Sequence, residues 1–171
     1  MITHPFYHAI WTIKHINKDG EVLHEEQTRN ALVDQGESLM LDVFFRNLNS
    51  PTQFYARLCN QAGLDEASTL PTILGEPAIA GDPVWTGYAP QLIERSATGF
   101  PTLELNAGDY RVISKQVVFT ATTGEIGPVS ALYLATTTNN SGSLIAFVIL
   151  SMSRTLLAGD SLIASFTVKL Q

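Results

Sequence analysis

The stretch SLIASFTVKL, residues 161–170, alternates between one apolar side and one mostly polar side along its whole length. A period of two residues sends successive side chains to opposite faces of a β-strand. The side predicted to face inward consists of Leu162, Ala164, Phe166, Val168 and Leu170, and the outward side of Ile163, Ser165, Thr167 and Lys169. The stretch therefore predicts a strand that packs one face on a core.

Strand-like segments of similar length precede this stretch. They are QFYARLCN (53–60), GYAPQLIERS (87–96), YRVISKQVVFTAT (110–122), PVSALYLATT (128–137) and SLIAFVILSMS (143–153). Turn-forming residues such as Asn106–Asp109 and Asn139–Gly142 separate them. This spacing predicts a mainly β fold, either an antiparallel sandwich of jelly-roll type or a barrel.

The N-terminal part predicts a β-hairpin. The segment FYHAIWTIKHINKDGEVLHEEQT (6–28) has two strand-like runs around Asn17–Gly20, where Asp and Gly tolerate positive φ. Pairing centred on Lys18 and Asp19 would place His24 opposite Ile13 and diagonal to His15.

The segment NALVDQGESLMLDVFFRNLN (30–49) predicts the only helix, over about residues 34–47. Asp34 followed by Glu37 resembles a capping box, in which each side chain satisfies a free backbone N–H group. The apolar residues at helical spacing, predicted to share one face, are Leu39, Met40, Val43 and Phe44.

The 171 residues suit a single domain, 1–171. We expect it to comprise an N-terminal hairpin or arm (1–29), the helical segment (30–48) and a β-sandwich (53–171). A long connection at 61–86, rich in Pro and Gly, interrupts the sandwich, and such loops are usually functional or contact partners. Gly87 and Tyr88 are predicted to begin a strand, and Pro90 predicts that its start lies at a sheet edge or bulge.

Charge and composition exclude several classes of function. Only 15% of residues are charged, below the roughly 25% of an average soluble domain. The net charge is −6, and the ten basic residues are scattered singly, so nucleic-acid binding is not expected. We expect neither a signal peptide nor a transmembrane helix, and thus no membrane partner. The low charge favours burial within an assembly, although a surface rich in Ser, Thr and Asn would also explain it.

The residues that could carry chemistry form no convincing constellation, so neither catalytic activity nor a cofactor or metal site is expected. His15 and His24 are only two ligands, whereas a stable zinc site needs three or four, and Glu26 could be a third only in a favourable register. Cys59 has no nearby histidine in the sequence. Isolated acids such as Glu94 and Glu104 give no paired-carboxylate signal of a glycosidase. A hydrolase built on a sandwich stays a rival hypothesis.

Three aromatic residues are candidates for an interface: Trp11, Trp85 and Tyr88. Aromatic residues of all-β proteins usually anchor a core or an interface. A stacking platform for a sugar is the alternative, and for Trp85 the order of preference is anchor, interface, then platform.

The order of motifs resembles that of tailed-bacteriophage virion structural proteins. The resemblance covers residues 30–170 and runs through NALVDQGESLMLDVFFRN, FYARLCN, TLPTILGEP, GYAPQLIERSATGFP, VVFTAT, IGPVSALYLATT, SLIAFVILS and RTLLAGDSLIASFTVKL. It implies a non-enzymatic component of the virion, without cofactor or catalytic residues, and leaves open whether that component is of the capsid decoration type or the tail-accessory type.

Within this class, the low charge, the β-rich pattern and the long irregular loop at 61–86 favour a capsid decoration (cement) protein. It would form a homo-oligomer, such as a trimer, and would contact the major capsid protein or other virion proteins. The alternative is a tail or fibre-associated protein, such as one that recognises a host glycan.

Overall fold

The structure is a computed structural model that describes residues 7–30, 32–48, 50–73, 85 and 87–170. The remaining parts of the predicted arm, helical segment, loop and C-terminus, at 1–6, 31, 49, 74–84, 86 and 171, lie outside the described residues.

The strands form two antiparallel sheets. The first sheet contains β1 (Tyr7–Ile16), β2 (Val22–Asn30), β5 (Thr102–Asn106), β6 (Asp109–Ile113), β7 (Val117–Thr120) and β10 (Ser161–Leu170). The second sheet contains β3 (Gln53–Cys59), β4 (Gln91–Glu94), β8 (Ile126–Ala135) and β9 (Leu144–Leu156). The mainly β prediction is confirmed, and of the two options the architecture is a sandwich and not a closed barrel.

The predicted N-terminal hairpin is present as β1–β2 and belongs to the first sheet, whose order is β2-β1-β10-β6-β5 with β7 also paired to β10. β1 pairs with β10 along its whole length, from Tyr7 opposite Leu170 to Ile16 opposite Ser161. Residues 7–30 therefore lie within the sandwich.

The segment predicted as one strand over 110–122 is two strands with a break at Ser114. β7 pairs with residues 161–164 of β10, and β6 pairs with residues 167–169. At the break, Ser114 Oγ accepts a hydrogen bond from the Phe166 N–H at 2.9 Å. The buried hydroxyl thus keeps the β10 backbone bonded where the ladder changes strand.

The predicted helix is confirmed over residues 34–46. Its first part is α1 (Asp34–Leu41), and Asp42–Arg46 continues it as a π-helical turn, called the π-turn below. The predicted capping box is wrong, because Val33 is the N-cap and the Glu37 N–H donates to the Val33 carbonyl at 2.9 Å. A third helical segment, a short 3-10 helix, spans Leu70–Thr72. No helix among the described residues is long and apolar enough to cross a membrane.

The core lies between the sheets. On β10, Leu162, Ala164 and Phe166 are buried, as the alternation predicts. On β1 the buried residues are Ala9, Trp11, Ile13 and His15. The helix packs on this core through Leu39 and Met40, and it approaches β9 so closely that a Cβ at Gly36 would lie 2.2 Å from the Ile145 oxygen. Glycine at position 36 is therefore required for this contact.

Candidate functional site

Trp11, the first predicted interface residue, lies inside the sandwich. It has no exposed surface, and its ring packs on Phe166 of the neighbouring strand with 5.2 Å between centroids. In the single chain, Trp11 is therefore a core residue, and its proposed part in an interface stays a prediction.

Trp85 and Tyr88, the other two candidates, contact each other at the edge of the second sheet. Their rings meet edge to face with centroids 5.6 Å apart, and Tyr88 also stacks on Phe119 at 6.2 Å. Trp85 is only 6% exposed. Between them Gly87 has φ +83°, which turns the chain so that the Tyr88 N–H donates to the Trp85 carbonyl.

The Tyr88 hydroxyl accepts a backbone N–H group of β3 at a position that β4 does not reach. β4 begins at Gln91, not at Gly87 as predicted, and its pairing with β3 ends at Ala56 opposite Gln91. Two residues further along β3, the Leu58 N–H donates instead to Tyr88 Oη at 3.0 Å. Pro90, which has no N–H, precedes the edge strand of this sheet, so the prediction of an edge position is confirmed.

The histidines of the hairpin have a different register from the predicted one. His24 lies opposite His15, and Glu26 lies opposite Ile13. A longer loop, in which Asn17 Oδ1 accepts the N–H groups of Asp19 at 3.0 Å and Glu21 at 2.8 Å, accounts for part of the change. An irregularity in the pairing between His15 and Ile16 accounts for the rest.

Each of these histidines contacts its own carboxylate. His15 Nε2 lies 3.2 Å from Asp160 Oδ2 in a buried pair, and His24 Nε2 lies 3.5 Å from Glu26 Oε2. Within the described ranges, no group of three or more His, Cys, Asp or Glu side chains is placed to hold a metal ion.

The other residues considered for chemistry have structural surroundings. Cys59 is buried in a second apolar cluster behind β3. Glu104 Oε1 accepts a hydrogen bond from Arg111 Nε at 2.7 Å, and Glu94 accepts one from Lys115 Nζ at 2.6 Å. The Lys115 hydrogen bond is the main reason that the pKa of Glu94 lies below its ordinary value.

A large apolar groove lies beside the helix, in a region where sequence reasoning placed no site. Its volume is about 1090 Å³. Residues from the helix, β3, β5, β6 and β10 line it, among them Leu39, Met40, Phe54, Leu103, Val112 and Phe166. The groove exists because the inner face of the first sheet continues past the part that the second layer covers.

The inner face of the first sheet becomes more exposed along one row of paired residues. Ala9, Val168, Val112 and Leu103 are paired in succession across β1, β10, β6 and β5, so they share one face. Ala9 is fully buried, whereas Leu103 is 73% exposed. The face that forms the core at one end of the row is therefore open at the other.

Two adjacent phenylalanines form the opposite rim of the groove. Phe44 is 80% exposed and Phe45 is 74% exposed, and their rings meet edge to face at 4.8 Å. Leu39, Met40, Val43 and Phe44, which were predicted to share one face of the helix, all line this groove. Phe44 stays exposed at the rim, where the helix widens into the π-turn and the Asn47 N–H donates to the Asp42 carbonyl.

We call this surface the groove face. It consists of the groove and the exposed apolar side chains on and next to its rim: Leu41, Phe44, Phe45, Leu103, Leu105 and Tyr110. Leu105 and Tyr110 belong to it because they are paired with each other and continue the inner face of β5 and β6 beyond Leu103. The described part of the chain is thus an antiparallel sandwich with one apolar face that its own described residues leave open.

No protein-family model matches the chain, and no curated protein matches it.

Proposed function

We propose that the chain is a non-enzymatic structural protein of a phage virion. Its most specific form is a capsid decoration (cement) protein, which stabilises the head through oligomeric contacts. The observation that carries this proposal is the groove face, a core-like surface that the described residues of one chain leave exposed. It adds to the resemblance in motif order over residues 30–170.

An uncovered face of this kind favours a role in assembly. Exposed apolar patches with a polar surround are typical of protein–protein contact sites, and edge strands that do not pair usually carry charges that prevent association. β5 is a terminal strand of its sheet, yet both of its inward positions, Leu103 and Leu105, are apolar and exposed. A role in particle assembly explains why these leucines are present.

Reconstitution on particles that lack the protein tests the proposal. Purified protein should bind such particles and raise the temperature and the osmotic shock at which they release their genome. Leu103→Asp should weaken binding, whereas Met152→Asp, which changes an exposed apolar residue on β9 outside the groove face, should not. Protein that neither binds the particles nor protects them would contradict the proposal.

The location of bound protein decides between the two virion roles. Electron microscopy of the reconstituted particles should show added density on the head. Density confined to the tail would instead favour the tail or fibre-associated alternative.

A further inference from the structure

We infer that the groove face is covered by a second copy of this chain, and that this self-association occurs in solution before any particle is bound. The inference rests on the proposed function, because it names the partner of the same surface. Three properties of the groove face support it: its apolar area, its charge and its shape.

The apolar area approaches that of a stable protein interface. Weighted by their exposed fractions, the six side chains of the groove face offer roughly 600 Å², taking about 200 Å² for an aromatic side chain and about 100 Å² for a leucine. A stable interface buries about 800 Å² on each partner, counting polar atoms as well. The largest apolar patch of an ordinary monomer is about 300–600 Å². The groove face is therefore at the upper limit for a surface that stays in water.

The charge of this region suits contact with an identical surface. The charged side chains that line the groove or lie on the π-turn are Glu37 and Asp42, against Arg46 and Arg95. The charged residues of β5 and β6, Glu104, Asp109 and Arg111, lie on the opposite side of the sheet. Two acids and two bases balance, although the whole chain carries −6.

This balance matters because two copies present the same charge to each other. A face with a net charge would repel its own copy, whereas complementarity to a different protein usually uses an excess of one sign. One of these acids is already paired inside the protomer, Asp42 with Arg46 at 2.8 Å. The neutral region therefore favours a second copy over a partner with a strongly charged surface.

The groove face contains both a projecting aromatic pair and an apolar groove that such a pair could fill on a second copy. The Phe44–Phe45 pair projects from the rim, and the apolar groove lies directly beside it. Contacts between identical chains place a patch against the same patch or against another patch of the neighbour, and both arrangements let one copy's phenylalanines enter the groove of the next. A projecting aromatic pair held in an apolar pocket is the usual form of an interface anchor.

Sedimentation velocity of the purified chain without particles tests the inference. The wild type should sediment at micromolar concentration as a multiple of its 18.6 kDa mass. Phe44→Asp on the rim and Leu103→Asp on the wall should each weaken self-association at least about tenfold, the effect expected when a charge replaces an interface anchor. Met152 is 64% exposed and lies outside the groove face, so Met152→Asp should leave self-association unchanged.

Thermal unfolding separates loss of assembly from loss of fold. The variants change exposed side chains, so each isolated protomer should keep a cooperative transition and the wild-type circular dichroism spectrum. If one variant fails to fold, the other still tests the inference, because the two changes lie on different walls of the groove.

Four outcomes would overturn the inference. The first is a wild-type chain that is monomeric at micromolar concentration, and the second is groove variants that associate as tightly as the wild type. The third is a Met152→Asp variant that weakens self-association as much as the groove variants do. The fourth is native mass spectrometry that finds a monomer with an apolar small molecule bound. Particle binding is measured separately. A monomer that still binds and protects particles would leave the proposed function intact, and an oligomer that binds no particle would contradict the proposed function alone.

Discussion

Replacement of Tyr88 by phenylalanine should destabilise the sandwich through the loss of one oxygen atom. The hydroxyl accepts the Leu58 N–H at 3.0 Å, next to the point where pairing between β3 and β4 ends. Leu58 is fully buried, so water cannot replace the lost acceptor in the folded protein. The ring contacts with Trp85 and Phe119 stay in place, because the substitution removes no carbon atom.

The size of the effect follows from the environment of that N–H group. A typical net hydrogen bond contributes about 1 kcal/mol, but a buried donor left without an acceptor costs about 1–3 kcal/mol. For a chain of this length, 1 kcal/mol corresponds to a shift of about 2–4 °C in Tm. Tyr88→Phe should therefore lower Tm by roughly 3–10 °C.

Urea and thermal unfolding, followed by far-UV circular dichroism at one fixed protein concentration, measure this change. Thr138→Val is the control, because it removes an exposed hydroxyl outside the groove face. Its loss should change stability by less than about 0.5 kcal/mol, as usual for surface substitutions. If Tyr88→Phe destabilises no more than Thr138→Val, the hydroxyl does not support the edge of the ladder.

Two further predictions concern the core and the pH dependence of stability. Trp85→Ala should lower the free energy of unfolding, measured in urea, by about 3–5 kcal/mol, because it empties a buried site. The control Leu157→Ala, at an exposed position, should lower it far less. If Trp85→Ala left the stability unchanged, the residue would suit a sugar platform instead. Glu94 has a pKa lowered by its hydrogen bond from Lys115, so its contribution to stability is present above the unfolded pKa and is lost as pH falls through the folded one. The Tm difference between wild type and Glu94→Gln should therefore shrink between about pH 5 and about pH 3, whereas a difference that stays constant over this range would contradict this.

The strands and the helix could be predicted because their signals are local. The alternation along β10 and the spacing of the apolar residues on the helix depend only on neighbours in sequence. Leu162, Ala164 and Phe166 are buried, and Leu39 and Met40 pack together against the same core. The edge position of β4 was also predictable, since a proline has no N–H to offer a sheet.

The parts that could not be predicted depend on contacts between distant residues. The Ser114 break divides β6 from β7 because its hydroxyl meets Phe166, which lies 52 residues away. The hairpin register shifts in part because the Asn17 side chain bonds inside the loop, and the number of loop residues is not evident from the turn motif alone. The role of the Tyr88 hydroxyl likewise requires the position of Leu58 on another strand.

The groove face combines both kinds of information. The alternation of Leu103 and Leu105 along β5 is the same pattern that marks β10 as a core strand, but burial also requires a second layer, and sequence periodicity does not report where that layer ends. A terminal strand that faced only water would be expected to carry polar residues or charges at these positions, since exposed apolar edges promote unwanted association. β5 instead keeps apolar residues on its inner face and places its one charge, Glu104, on the other face, paired with Arg111. The strand thus has the pattern of a covered strand, and no described residue of its own chain covers it, which is why we infer that another protomer provides the cover.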